Sequence, residues 1–163
     1  MTPVFPADLG WQYQLAGQAD KAIEEAQKSL ELNPNFAQAL TVLGYAYLDK
    51  GMFEEAIRWH EKAAAADRGW RWPLGRTLAL AGRKEEARRL AAELAKKPTP
   101  MDLRGLAEIY ISLGDKDEAF RWLEAGYKAR FSWMPFVQSN PRFAPLHSDP
   151  RFQDLARRIG LPP

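Results

Sequence analysis

The residues with which this chain could do chemistry are few. It has two histidines, three glutamate pairs, eleven glycines and no cysteine. The absence of cysteine removes disulfides, thiolate catalysis and Cys-ligated metals together. A metal site would have to be built on His60 or His147 with Asp or Glu donors, and no H-E-x-x-H or comparable spacing is present. His147 lies in a proline-rich turn near the C-terminus. No G-x-S-x-G occurs, and the glycines recur at a fixed phase rather than in a phosphate-cradling loop. Glu24-Glu25, Glu54-Glu55 and Glu85-Glu86 look like paired carboxylates for acid–base work. They read better as charges placed at the start of successive helices, where negative charge meets the positive end of the helix dipole. The sequence therefore predicts no catalytic set, no cofactor and no metal.

The elements that must carry the remaining side chains are organised around Leu40 to Ala63. Leu40, Leu43, Gly44 and Tyr47 are spaced i, i+3, i+4, i+7, one stripe of an α-helix. Gly51 breaks the pattern, and a second amphipathic run begins at Phe53. The same phase recurs four times. A small residue falls at Gly10, Gly44, Gly75 and Ala107, followed by Tyr13, Tyr47, Leu78 and Tyr110. Turn glycines follow at Gly17, Gly51, Gly82 and Gly114, then Ala22, Ala56, Ala87 and Ala119. Spacing within each unit is constant while the glycine-to-glycine interval varies, so length changes fall in the links, which carry little packing.

This pattern resembles the tetratricopeptide repeat (TPR), whose signature is W-x2-L-G-x2-Y…A-x3-F…P. In the second unit Leu40 takes the place of the Trp, His60 that of the Phe, and Arg68 that of the Pro. His60 is then expected as a packed helix-interface residue rather than a ligand. The resemblance covers about Leu9 to Arg130. It implies an all-α, right-handed α-solenoid of four helix-turn-helix repeats, at about 3–35, 36–69, 70–99 and 100–130, in one domain of residues 1–163.

Punctuation supports those boundaries. Asn33-Pro34-Asn35 stops the second helix. Trp72-Pro73 opens a short helix over about 72–80, proline being tolerated in a first turn. The next helix runs over about 83–96 and ends in Lys96-Lys97. Thr99-Pro100-x-Asp102 reads as an N-cap close to a capping box. From 131 the chain leaves the repeat. Asn140-Pro141-Arg142-Phe143 and Asp149-Pro150-Arg151-Phe152 are near copies, each an Asx N-cap followed by proline. The second opens a helix to about Ile159, stopped by Gly160 and Pro162. A solenoid needs a terminal element over its last repeat, so 131–163 is expected as a short helical C-terminal cap. Its last residues also resemble the ends of bacterial TPR-containing proteins, in which the array often follows a kinase, cyclase or winged-helix domain.

Composition sets the outer bounds. Hydrophobic residues make up 46% and charged residues 27% of 163, as in a globular protein. The formal net charge is +2, with 23 basic and 21 acidic residues interspersed. That is no footprint for nucleic acid. No apolar run reaches the ~20 residues of a membrane span. Met1 to Asp8 lacks the basic segment and apolar core of a signal peptide, and a cytoplasmic setting is expected.

The resemblance implies that the first helix of each pair lines a concave face. The ninth position of each repeat is then Trp11, Tyr45, Arg76 and Glu108, with Asp8, Gln38, Thr41, Leu48, Asp49, Trp72 and Arg104 beside them. Aromatic groups and arginine favour interface hot spots. Tyr45 is expected to be exposed; for Trp72 a groove role and an inter-repeat packing role stand level. The two-carboxylate clamp of some family members is not matched: its positions carry Ala7, Trp11, Val42, Gly69 and Pro73, which supply no charged donors in the required set. The implied function is a non-catalytic scaffold for a protein or peptide partner. The alternative is a regulatory module, excised from a larger bacterial protein, whose tail occupies the groove through Met134-Pro135-Phe136-Val137 or mediates self-association.

Overall fold

The computed structural model describes residues 2–161. Among them are nine α-helices and no strand: α1 Val4–Leu15, α2 Ala19–Leu32, α3 Ala37–Asp49, α4 Phe53–Ala66, α5 Trp72–Leu80, α6 Lys84–Ala95, α7 Pro100–Leu113, α8 Lys116–Lys128 and α9 Pro150–Ile159. Three short 3-10 helices, Arg68–Trp70, Met134–Phe136 and Pro141–Leu146, complete the described chain. The first eight α-helices form four antiparallel pairs stacked as an all-α solenoid.

Each pair turns in the same way. Gly17, Gly51, Gly82 and Gly114 have φ of 72°, 73°, 81° and 81°, the left-handed region in which a Cβ is strained. The next residue then donates back into the preceding helix: Gln18 to the Tyr13 carbonyl, Met52 to Tyr47, Arg83 to Leu78 and Asp115 to Tyr110, each at 2.9 Å. These bonds satisfy carbonyls that a helix end otherwise leaves open. At α7 the capping box is complete: Thr99 Oγ1 accepts from the Asp102 N–H, and Asp102 Oδ2 accepts from the Thr99 N–H at 2.9 Å.

Small residues let the paired helices close. A Cβ at Gly44 would lie 2.2 Å from His60 Nε2, so the imidazole occupies the room that Gly44 leaves. His60 is fully buried, as expected for a packing residue. Its Nε2–H donates to the Thr41 carbonyl, and Nδ1 meets Thr77 Oγ1 at 2.8 Å, joining the second pair to the third. Burial pushes its pKa down to about 3, so the ring is neutral. Ala22, Ala56, Ala87 and Ala119, all fully buried, serve the same close approach on the second helices.

The glutamate pairs are not equivalent. Glu54-Glu55 and Glu85-Glu86 fall in the first turns of α4 and α6, but α2 carries Asp20 there. Glu24 and Glu25 sit one turn further on and pair with Lys28. Repeat 1 begins its second helix on a single aspartate, so the expected three-fold register fails in that copy. Lys96 is the C-cap of α6.

The first helices share one face: α1 packs on α3 and α5 on α7, and the chain of contacts Trp11–Tyr45–Trp72–Arg104 links all four. The inner face is therefore built from α1, α3, α5 and α7. The tail divides its work. α9 caps the array against α8, with Phe152 and Leu155 buried and Arg151 and Arg158 paired to Asp117 and Glu124. Gly160 ends it at φ 87°; the expected stop at Pro162 lies outside the described residues. The segment before α9 runs elsewhere, onto the inner face.

Candidate functional site

The inner face places six of the nominated residues together: Trp11 from α1, Tyr45 from α3, Trp72 and Arg76 from α5, and Arg104 and Glu108 from α7. Three others lie apart from them. Thr41 is fully buried and turns its hydroxyl to the Ala37 carbonyl at 2.9 Å, and Leu48 is buried in the core. Gln38 donates to Asp8 Oδ1 at 2.6 Å, tying α3 to α1. Both faces of a solenoid's first helices are apolar, so position within the repeat alone does not separate groove from core.

Tyr45 corrects the expectation of exposure. It is 0% exposed, and burial pushes its phenol up to about 12. Its ring meets Trp11 edge-on at 5.8 Å, His60 at 4.8 Å and Trp72 at 6.4 Å. What covers it comes from far along the chain. Arg142, in the 3-10 turn Pro141–Leu146, lays its guanidinium over the Tyr45 ring at 4.0 Å and within 5.6 Å of Trp11. Arg142 Nη2 donates to Gln14 Oε1 at 3.0 Å, and Gln14 Nε2 donates on to Asp49 Oδ2 at 2.8 Å. Its Nη1 stands 4.0 Å from Glu108 Oε2. One tail side chain thus bridges the first helix and the seventh.

Glu108 is the charge centre of this face. Burial alone would raise its pKa, but Arg104, Arg142 and Arg76 together outweigh that and hold it below the usual carboxylate range. Arg104 Nε donates to Glu108 Oε1 at 2.8 Å, and its guanidinium is sandwiched between Trp72 at 4.8 Å and Trp133 at 4.3 Å. Trp72 is almost fully buried, and a Cβ at Gly105 would lie 2.3 Å from its Cβ. Inter-repeat packing and groove contact therefore coincide in that residue.

The expected tail segment reaches the inner face only at Phe136, which lines a cleft with Trp11 and Arg104, and most of the occupancy comes from further along the tail. Met134 and Val137 are buried, Met134 against α8 where a Cβ at Gly126 would meet its sulfur at 2.9 Å. Phe136 stays 57% exposed. The groove is filled instead by Arg142, Phe143 and Leu146, with Trp133 beside Phe143 at 5.3 Å. Two clefts remain on either side, one of about 330 Å³ between Trp11, Arg104 and Phe136, one of about 290 Å³ between Gln14, Asp49, Arg76 and Arg142. Sequence reasoning missed Arg142 and Gln14. The available signal was the duplicated Asx-Pro-Arg-Phe motif, whose capping residues point to a helix start and not to a contact.

The arrangement sets ring faces and guanidinium groups around one buried carboxylate. It is a concave, aromatic and charged face on a helical-repeat solenoid, the architecture of an interaction domain. Among the described residues no group of three or more His, Cys, Asp or Glu side chains is placed to hold a metal, and no helix is long and apolar enough to cross a membrane.

The chain belongs to the tetratricopeptide repeat family. Family models described as tetratricopeptide repeat match residues 25–58, 70–93, and both 7–36 and 105–132. Over 66 residues the chain is 29% identical to the small glutamine-rich tetratricopeptide repeat-containing protein 2 of Mycosarcoma maydis. That stretch is 40% of this chain and 19% of the relative, so the match spans about a fifth of the relative's length. Among solved structures it is similar to a thermophilic TPR protein of Thermus thermophilus, at 21% identity and a TM-score of 0.43, covering 98% of this chain and 97% of that one. At the level of the family, the chain is a protein-interaction scaffold.

Proposed function

We propose that the chain is a non-catalytic, single-domain binding module whose concave face is closed in cis by its own tail and opened by a protein or peptide partner. The observation that carries this reading is the insertion of Arg142 between Trp11, Tyr45 and Glu108. A groove built for a trans ligand is filled here in the manner of a ligand. The regulatory reading is thereby preferred to a permanently open adaptor. Buried aromatic and arginine groups are the usual anchors of interface energy, and the two flanking clefts give an incoming chain its first contacts. The reading places the chain in the cytoplasm, a setting with which a sequence free of cysteine is compatible.

The test is affinity capture with three full-length baits of matched helicity: wild type, Phe143→Ala/Leu146→Ala with the tail loosened, and that variant carrying Trp11→Ala. A client held by the loosened bait, held less by wild type and lost with Trp11→Ala supports the reading. Equal capture by all three moves the binding surface off the inner face and overturns it.

A further inference from the structure

We infer that the ligand admitted by this groove is a peptide segment presenting an arginine from an Asn-Pro-Arg-aromatic turn, the guanidinium entering the pocket of Trp11, Tyr45, Gln14 and Glu108. This rests on the reading of the inner face as a tail-closed interaction surface, and it names the partner's chemistry.

The argument comes from the two near copies of the motif in the tail. In both, the Asx side chain accepts from the arginine N–H, Asn140 Oδ1 from Arg142 and Asp149 Oδ1 from Arg151, each at 3.0 Å. In both, proline follows at the first helical position and the phenylalanine is buried. The turn therefore fixes the backbone from which its arginine departs. The two arginines then part company. Asp149 takes back its own: Oδ1 accepts from Arg151 Nε at 3.0 Å and Oδ2 from Nη2 at 2.9 Å. Asn140 is a neutral amide, and no such pairing forms with Arg142. That guanidinium enters the groove, while Arg151 stays on the outside across Phe120 and Asp117. The copy that docks carries a neutral amide at the Asx position, and the copy that pairs with its own arginine carries a carboxylate there.

The receiving pocket has the parts a guanidinium requires. Two ring faces accept the cation, the Gln14 amide oxygen accepts one N–H, and Glu108 offers a carboxylate. A lysine would lack the planar fork that reaches ring, amide and carboxylate at once. The cis fit also leaves slack: Arg142 Nη1 and Glu108 Oε2 are both buried without a protein hydrogen-bond partner, at 4.0 Å from each other. A trans arginine free of the constraint of residues 131–139 can close that gap, which gives it the means to displace the tail.

The test uses the full chain with Arg142→Ala, which empties the pocket, and the peptide acetyl-Asn-Pro-Arg-Phe-Ala-Pro-Leu-amide. Calorimetry and tryptophan fluorescence follow binding, since the peptide carries no tryptophan. The expected result is binding at least about tenfold tighter than the citrulline peptide, with the Asp-Pro-Arg-Phe peptide weaker than the Asn form and wild-type protein weaker than Arg142→Ala. Equal binding of the citrulline peptide, or no binding by a variant of wild-type helicity, overturns the inference. So does tail exchange into dimers without a peptide complex, which would make a second copy of the chain the occupant. If Arg142→Ala does not fold, the wild-type chain is used with millimolar peptide: faster hydrogen exchange over 140–146 is expected, and unchanged exchange overturns the assignment. If the loosened Phe143→Ala/Leu146→Ala bait still gains a client that the peptide does not compete away, the arginine assignment alone fails. If neither peptide nor client binds, the tail-closed reading fails with it.

Discussion

Replacing Glu108 by glutamine should show that one carboxylate holds the inner face together. Glu108 is almost fully buried, bonded to Arg104 at 2.8 Å and 4.0 Å from Arg142, with Arg76 nearby. The amide keeps the shape and an acceptor for Arg104 but leaves three guanidinium groups around an uncharged centre. Removing one member of a buried ion pair costs about 3–5 kcal/mol. At 4.0 Å the Glu108–Arg142 attraction alone is about 4 kcal/mol at an effective dielectric constant of about 20. Arg142→Leu in the same background removes one of the uncompensated cations, so the double variant should be more stable than the two single losses added together. A coupling of about 1–3 kcal/mol is expected for groups in one network. Urea unfolding followed by tryptophan fluorescence measures all four corners of the cycle. Additivity within about 0.5 kcal/mol would refute the electrostatic account. Because Arg142 ties α1 to α7, its loss should also broaden the transition toward the repeat-by-repeat melting of an open solenoid.

His60 gives a pH-dependent stability of defined sign. Its folded pKa of about 3 lies below the ordinary 6.5, so the unfolded chain binds the extra proton and stability falls as pH drops from 6.5 toward 3. Between pH 7 and pH 5 His60 should account for about 2 kcal/mol of lost stability. That component should vanish in His60→Leu; an unchanged slope in urea unfolding would show that the ring titrates freely. Gly44→Ala meets the imidazole at 2.2 Å and should destabilise by about 1–3 kcal/mol through overpacking. Gly51→Ala meets no atom but sits at φ 73°, so its cost of about 1 kcal/mol comes from the backbone; relief of the Gly44→Ala loss alone by His60→Ala in thermal unfolding would separate the two causes. Asn140→Asp should give Arg142 a carboxylate of its own and raise hydrogen exchange over 140–146, and exchange at or below the wild-type rate would count against the amide argument.

The repeat framework is legible because its determinants are local. Gly17, Gly51, Gly82 and Gly114 each have to turn left-handed, and Thr99-Pro100-x-Asp102 has to cap, whatever the rest of the chain does. The helix bounds of α5 and α9 follow from Pro73, Pro150 and Gly160 for the same reason. The site is legible only as positions on helices. Tyr45 has the register of a groove residue, but its exposure is decided by Arg142, almost a hundred residues later, and no periodicity encodes that contact. Thr41 and Leu48 are also buried, but by the core rather than the tail, since neighbouring positions on a doubly buried helix face either groove or core. Glu24 and Glu25 mislead because two adjacent glutamates look alike wherever they fall, whereas Asp20 does the first-turn work in that repeat.

The most direct test of the account is the solution environment of the Arg142 side chain, read by NMR on the full chain. The tail-closed face predicts Arg142 methylene protons shifted upfield by the Tyr45 ring, a slowly exchanging guanidinium, and NOEs from it to Tyr45, Trp11 and Gln14. Random-coil shifts, rapid exchange and no NOE to α1 or α3 in a folded chain would contradict it.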